Sequence, residues 1–347
     1  MTETSDIRFV VEGGIAFVTL SRPKALNALT LEMIRAYYKR LVAWAKDPAI
    51  RAVVIEGGGG KAFCAGGDVR AVYDSVKTAP SDLNRVFFSE EYQLNRLIHR
   101  LGKPHVALLD GITMGGGLGL SVHGTHRVAT EKTMAAMPET GIGLFPDIGA
   151  TWFLNRCPGK MGLYLALTGA RVRASDALYV GFATHYAPSA ALEEFRRDLA
   201  AGMEVEAAIN KISTDPGPPP LAAAKAETDR TFAGGSVEAI LAALEADGSG
   251  WAEETLKTLR AKSPTSLKVT FEQLRRGAGH SIEDVLVMEY RMTQSFMAGH
   301  DFFEGIRALL VDKDQSPKWK PPTLAVVTDA DVARYFEAPK TGDIEFA

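Results

Sequence analysis

Cysteine is nearly absent from this chain: Cys64 and Cys157 are the only two in 347 residues, which excludes a disulfide scaffold and a multi-cysteine zinc site. Excess charge is missing as well. Thirty-nine basic residues against 42 acidic leave a formal charge of -3. No basic face large enough for a phosphate backbone follows from that balance, so nucleic acid is not an expected partner. Apolar runs are short: the longest uncharged stretch near the middle, Gly111 to Val122, is glycine-rich and far below the ~18–20 apolar residues that cross a bilayer. The opening Met-Thr-Glu-Thr-Ser-Asp carries neither a basic nor an apolar leader pattern. The expectation is a soluble, cytoplasmic protein with no membrane partner.

Several chemical signatures are absent too. There is no Gly-Lys-Ser/Thr phosphate loop, no Gly-x-Gly-x-x-Gly, and no Gly-x-Ser-x-Gly elbow, which weakens nucleotide, NAD and serine-hydrolase readings. His123 and His126 stand three apart without an acidic or cysteine partner at metal-site spacing. They read as structural or surface residues, and no metal is expected. Cys64 has no recognisable histidine partner and reads as small core filling.

What remains is globular, with 46% hydrophobic and 23% charged residues. Ile15–Leu20, Arg51–Glu56, His105–Leu109 and Arg127–Thr130 read as strands. Leu31–Lys46 reads as a helix capped by Thr30, with Leu31, Ile34, Tyr38, Leu41, Val42 and Ala45 on its apolar face. Strands alternating with helices imply an α/β layout with parallel crossovers. Thr214–Pro220 holds four prolines and a glycine in seven residues and reads as a connector. Beyond it, Val237–Ala246, Trp251–Ala261 and Ile282–Ala298 read as helices and strand patterns nearly vanish.

Two glycine clusters follow strands: Lys61–Asp68, reading KAFCAGGD, and Met114–Gly119, reading MGGGLG. Taken alone, such clusters are more often tight turns than sites. Two of their N–H groups converging on a carbonyl would nonetheless form an oxyanion hole. Glu139 and Asp147 lie eight apart in an apolar stretch punctuated by glycine and proline, unlike carboxylates on a solvated helix face. Burial there would suit them to acid–base work. Glu90-Glu91, by contrast, reads as solvated charge at a helix start.

Together, Ser21–Ala28 (SRPKALNA), Lys61–Asp68, Gly111–Gly117 (GITMGGG) and Met137-Pro-Glu139 resemble the crotonase (enoyl-CoA hydratase/isomerase) superfamily. The resemblance runs from about Phe9 to about Pro321. Gly143–Gly149, Ala166–Gly169, Gly181–His185, Ser263–Lys268, Gly299–Ala308 and Asp312–Pro321 make it strongest to the branch that hydrolyses 3-hydroxyisobutyryl-CoA in valine breakdown. The resemblance implies an α/β, ClpP/crotonase-like spiral of ββα units. It places a core over 1–213, the connector at 214–220 and a helical region over 221–347 that completes the fold. Assembly into a homo-trimer or hexamer is usual for such proteins.

Carried over residue by residue, the resemblance implies oxyanion-hole amides at Gly67 and Gly116. It implies a CoA-holding edge at Lys24, Ala25 and Leu26 with Ala65 and Asp68. Glu139 falls on a catalytic carboxylate position, Asp147 on a second acidic one, and Glu91 on a substrate-binding glutamate, against its reading as solvated charge. The partner is an acyl-CoA, and no cofactor is implied beyond the CoA of the substrate itself. Hydratases carry another glutamate two residues after the glycine triplet, where this chain has Gly119. The expected reaction is therefore thioester hydrolysis, with hydratase/isomerase chemistry and non-catalytic acyl-CoA binding as the alternatives.

Overall fold

Among the described residues nine strands fall into two sheets, and the chain passes between them in a regular alternation. The computed structural model describes residues 5–78 and 82–346; residues 1–4, part of the segment searched for a leader pattern, lie outside them. β1 (Ile7–Glu12) and β2 (Ile15–Leu20) form an antiparallel hairpin with Ile7 opposite Leu20. Three strand pairs follow: β3 (Ala52–Gly57) with β4 (Ala62–Cys64), β5 (His105–Leu109) with β6 (Ile112–Met114), and β7 (His126–Ala129) with β8 (Met134–Ala136). β9 (His185–Tyr186) completes a six-stranded sheet in the order β1-β2-β3-β5-β7-β9, while β4-β6-β8 make a three-stranded one. The first strand of each pair joins the large sheet and the second joins the small one, every such pairing being parallel. This is the ββα spiral that the resemblance implied.

The inner strands β2, β3 and β5 of the large sheet are buried on both faces, as parallel strands covered on two sides are. Alternate residues share a face. Ile15 and Phe17, Ala52 and Val54, and Val106 and Leu108 accordingly pack into one cluster with Phe195 and Leu199 of the helix Leu192–Ala200 and Val205, Ala208, Ile209 and Ile212 of the helix Val205–Ile212. The helix Leu31–Lys46 forms as expected, with the Thr30 hydroxyl accepting from the Met33 amide at 3.2 Å. Its buried stripe is Met33, Ile34, Tyr37, Leu41 and Trp44, rotated from the one read in the sequence. Tyr37 turns inward because its hydroxyl finds the buried His105 Nε2 at 2.7 Å. Burial in turn drives the His105 pKa down to about 3.

Two compact units divide the chain. The first comprises Met1–Asp68, Glu90–Ala136 and Arg171–Ala222, and the second Val69–Ser89, Met137–Ala170 and Ala223–Ala347. Both sheets belong to the first unit. The second is helical, and serine starts four of its helices. The hydroxyls of Ser236, Ser249, Ser263 and Ser281 accept from the third amides of Val237–Asp247, Gly250–Arg260, Pro264–Arg276 and Ile282–Met297, at 3.1–3.2 Å. The apolar faces of the first three close a core of Leu167, Phe232, Val237, Ile240, Leu244, Ala252, Leu256, Leu259 and Leu267. Three of these helices were legible in advance; Pro264–Arg276 was not singled out. Among the described residues, no strand follows β9 and no helix is long and apolar enough to cross a membrane.

Candidate active site

The first unit brings the two glycine clusters together. After β4 the chain turns so that Leu29 and Gly67 form an isolated parallel bridge, with the Leu29 amide donating to Gly66 O at 2.9 Å and the Asp68 amide to Leu29 O at 2.8 Å. These bonds use residues 66 and 68 and leave the Gly67 N–H out of the ladder. Gly116 opens the short helix Gly116–Gly119, where a first-turn N–H has no intrahelical acceptor. A β-carbon on Gly116 would stand 3.2 Å from the Gly67 amide nitrogen and 2.5 Å from Glu91 Oε1. One on Gly117 would stand 2.2 Å from the Cys64 carbonyl oxygen. Only glycine permits this approach, and the two expected oxyanion amides are neighbours because of it.

Glu91 lies within the helix Leu83–His99, eight residues from its start, and is 2% exposed. The reading of it as solvated charge at a helix start is thereby corrected. Its side chain points inward to Gly116, and the surface role falls to Glu90, which pairs with Arg35 at 2.7 Å. One turn further on, Asn95 Nδ2 donates to Gly119 O at 3.1 Å and ties the helix to the glycine turn. Gly119 itself is buried and brings no side chain to this place.

The expected CoA-holding edge is also one piece of structure. Pro23–Ala25 is a single 3-10 turn ending at Leu26, which is left-handed with φ 51°. The Ala65 amide donates to Leu26 O at 3.0 Å, joining Lys24, Ala25 and Leu26 to the second segment. The Asp68 carboxylate is bound by Arg22 at 3.0 Å. Asn27 braces the turn from beneath, donating to Gly58 O at 2.9 Å and Ala62 O at 2.8 Å. Sequence reading quoted Arg22 and Asn27 within a motif but gave them no work; here they hold the edge in place.

In the second unit Glu139 begins a 3-10 turn, Glu139–Ile142, and is 6% exposed. The turn is fixed on two sides: Thr140 Oγ1 donates to Leu167 O at 3.0 Å, and the Ser263 amide donates to Thr140 O at 3.2 Å. Ser263 Oγ then donates to the buried Asp301 at 2.7 Å. Three segments quoted for the resemblance thus meet around one turn. Next to Ser263, the Lys262 ammonium comes within 3.2 Å of where a side chain on Gly141 would begin. Burial lowers the Lys262 pKa, and the charge of Glu139 opposes that fall. Lys262 was missed in the sequence, where it reads as one lysine among many.

Asp147, 5% exposed, sits on the turn leading to the helix Ala150–Leu154. Beside it is Glu289, wholly buried in the helix Ile282–Met297. Burial raises the Glu289 carboxyl to about 8; hydrogen bonds from Thr151 and Gly149 oppose the rise and the charge of Asp147 adds to it. The sequence held a signal for Glu289: it falls on the apolar stripe of Ile282, Val285, Leu286, Thr293 and Phe296.

Cys64 and Cys157 are buried thiols pushed up to about 12 by burial, so Cys64 is core filling and not a nucleophile. His123 is buried, and His126 pairs with Glu206 at 2.8 Å. Among the described residues no group of three metal-ligating side chains comes together.

Comparison with known proteins places the chain in a family. It belongs to the enoyl-CoA hydratase/isomerase family, whose model matches residues 15–336. It is 49% identical to the mitochondrial 3-hydroxyisobutyryl-CoA hydrolase of Danio rerio, over 98% of this chain and 92% of that one. The human mitochondrial 3-hydroxyisobutyryl-CoA hydrolase is 47% identical over 96% and 89%. Among solved structures, a carnitinyl-CoA dehydratase from Mycobacterium thermoresistibile superposes with a TM-score of 0.94 at 45% identity, covering 98% of both chains. An enoyl-CoA hydratase from Rhodobacter sphaeroides 2.4.1 gives 0.92 at 37% identity, covering 99% of this chain and 100% of that one. The fold is the α/β crotonase fold with two sheets and a C-terminal helical region.

Proposed function

We propose that the protein hydrolyses a short-chain hydroxyacyl-CoA thioester, with 3-hydroxyisobutyryl-CoA as substrate and 3-hydroxyisobutyrate and CoA as products. The observation that carries this reading is Gly119. Hydration on this scaffold calls for a proton donor at that position unless Asp147 supplies it, and here the position is a buried glycine with its carbonyl tied to Asn95. The near-full-length identity to 3-hydroxyisobutyryl-CoA hydrolases supports the same choice.

In the proposed reaction the amides of Gly67 and Gly116 polarise the thioester carbonyl and receive the negative charge that develops on its oxygen. Glu139 drives the attack by one of two routes. As a base it takes a proton from water while the water oxygen bonds to the carbonyl carbon and the C–S bond breaks. As a nucleophile it bonds to that carbon itself, expels the thiolate, and leaves an anhydride for water to cleave. Either way, one water is consumed and the thiolate leaves to take up a proton. Asp147 orients the 3-hydroxyl, and Glu91 lines the substrate beside Gly116.

A second reading is hydration on the same scaffold, favoured by the dehydratase and hydratase named among the solved structures. Thiol release measured in parallel on 3-hydroxyisobutyryl-CoA, crotonyl-CoA and acetyl-CoA separates the two. Rapid release from the hydroxyacyl ester alone is the expected result. Loss of the conjugated absorbance of crotonyl-CoA without thiol release would instead assign the protein to the hydratases.

A further inference from the structure

The turn that carries Asp147 holds a conformation its own residues resist. Ile148, immediately after Asp147, has φ 59°. A β-branched side chain is strained in the left-handed region, and such a residue persists only where its surroundings dictate it. Those surroundings are two buried side chains from the helices Pro264–Arg276 and Ile282–Met297. Glu289 Oε2 accepts from the Gly149 amide at 2.6 Å. Glu289 Oε1 accepts from the Thr151 amide at 2.9 Å and from its hydroxyl at 2.7 Å. Gln273 Nε2 donates to Pro146 O at 2.7 Å, to Thr151 Oγ1 at 2.8 Å and to Glu289 Oε1 at 3.3 Å. Residues 146, 149 and 151 are therefore gripped on both sides of Asp147. Glu289 and Gln273 are wholly buried, and the mechanism above uses neither.

We propose that Glu289 is a positioning residue: it clamps the Pro146–Thr151 turn, and so gives the Asp147 carboxylate the single orientation in which it receives the substrate's 3-hydroxyl. This rests on the reading of Asp147 as a substrate-orienting group. A carboxylate suits the task because its two oxygens accept from several donors at once, where an amide would turn an N–H toward one of them.

The test is a double-mutant cycle on kcat/KM for 3-hydroxyisobutyryl-CoA, read by thiol release, with melting curves for every variant. Asp147→Asn and Glu289→Gln are each expected to lower kcat/KM, the second by up to about 100-fold, the scale of a small misplacement of a reacting group. If Glu289 acts through Asp147, adding Glu289→Gln to Asp147→Asn costs less than about twofold more. Independent lesions would multiply instead, and a multiplicative result overturns the proposal. Should Glu289→Gln fail to fold, Thr151→Val and Thr151→Ser carry the same cycle. The valine removes a hydroxyl held by Glu289 and is expected to lose activity only when Asp147 is present, while the serine keeps wild-type turnover. Equal losses from the valine with and without Asp147 overturn the proposal. Wild-type protein that releases no thiol from this ester would end the hydrolase reading itself, a different failure from an active enzyme with a multiplicative cycle.

Discussion

In the first unit the groups placed for chemistry are mostly backbone, and in the second they are side chains, and the two kinds of site are secured by different means. Gly67 and Gly116 offer amides whose positions follow from strand ends and a bridge, so the main requirement is a missing side chain at the point of closest approach. Glu139, Asp147 and Glu289 are carboxylates taken out of water, which costs free energy unless donors are supplied. Thr140 and Thr151 supply bonds from within the two turns, and Ser263 and Gln273 anchor those turns from a helix more than a hundred residues downstream. A backbone site can be written in one short motif. A carboxylate site has to be assembled.

The sharpest way to test that contrast is to remove one functional group from each unit. Glu139→Gln keeps the shape of the turn and is expected to lower thiol release by about 10³-fold while acyl-CoA binding persists; near-wild-type turnover would remove Glu139 from the reaction. In the other unit, Gly116→Ala places a methyl 3.2 Å from the Gly67 nitrogen and 2.5 Å from Glu91 Oε1. Loss of one oxyanion donor corresponds to about 10²–10³ in kcat. Gly117→Ala provides the contrast, since its methyl would meet the Cys64 backbone carbonyl at 2.2 Å and should reduce soluble, folded protein instead. If Gly116→Ala also only unfolds the chain, the two glycines are both structural.

Titration separates the units in opposite directions. His105 is a buried base with its pKa lowered to about 3. The folded state binds its proton less readily than the unfolded chain, so stability is lost as pH falls from about 6.5 toward 3. Glu289 is a buried acid raised from 4.5 to about 8. Its contribution is present below about 4.5 and declines as pH rises through about 8. Melting temperatures between pH 4 and 9 should show His105→Gln gaining on wild type toward acid and Glu289→Gln gaining toward base. Curves parallel to wild type would contradict both assignments.

Helix caps give the smallest effects. Thr30→Ala removes one cap bond in the first unit and should cost about 1 kcal/mol. Ser263→Ala also strips a donor from the buried Asp301, which adds about 1–3 kcal/mol. Denaturant midpoints that rank the two the other way would show that Asp301 does not depend on Ser263.

Legibility followed the same division. β2, β3 and β5 were readable because a strand buried on both faces leaves an unbroken apolar run, β7 was read as a shorter one, and three of the four serine-capped helices of the second unit were read as well. The small sheet was not singled out, since three-residue strands such as Ala62–Cys64 carry no period to detect. Glu91 misled because a pair of glutamates has the same local look whether one of them faces water or a glycine turn. Lys262 escaped for a related reason, since charge in a helical region reads as solvated until the opposing surface is known, whereas Glu289 stood on a readable apolar stripe that gave no sign of what would hold it.

By itself, then, the sequence determined the alternation of strands and helices, the places where only glycine fits, and the motifs that carry the family. Those depend on neighbours within a few residues along the chain. Tertiary structure alone decided which charges would be buried and what would hold them: Glu91 against Gly116, Lys262 beside Glu139, and Glu289 under the strained Ile148 turn. The partners of a buried charged group come from chain segments far away in sequence, so a local pattern can hint at its burial but does not name what holds it.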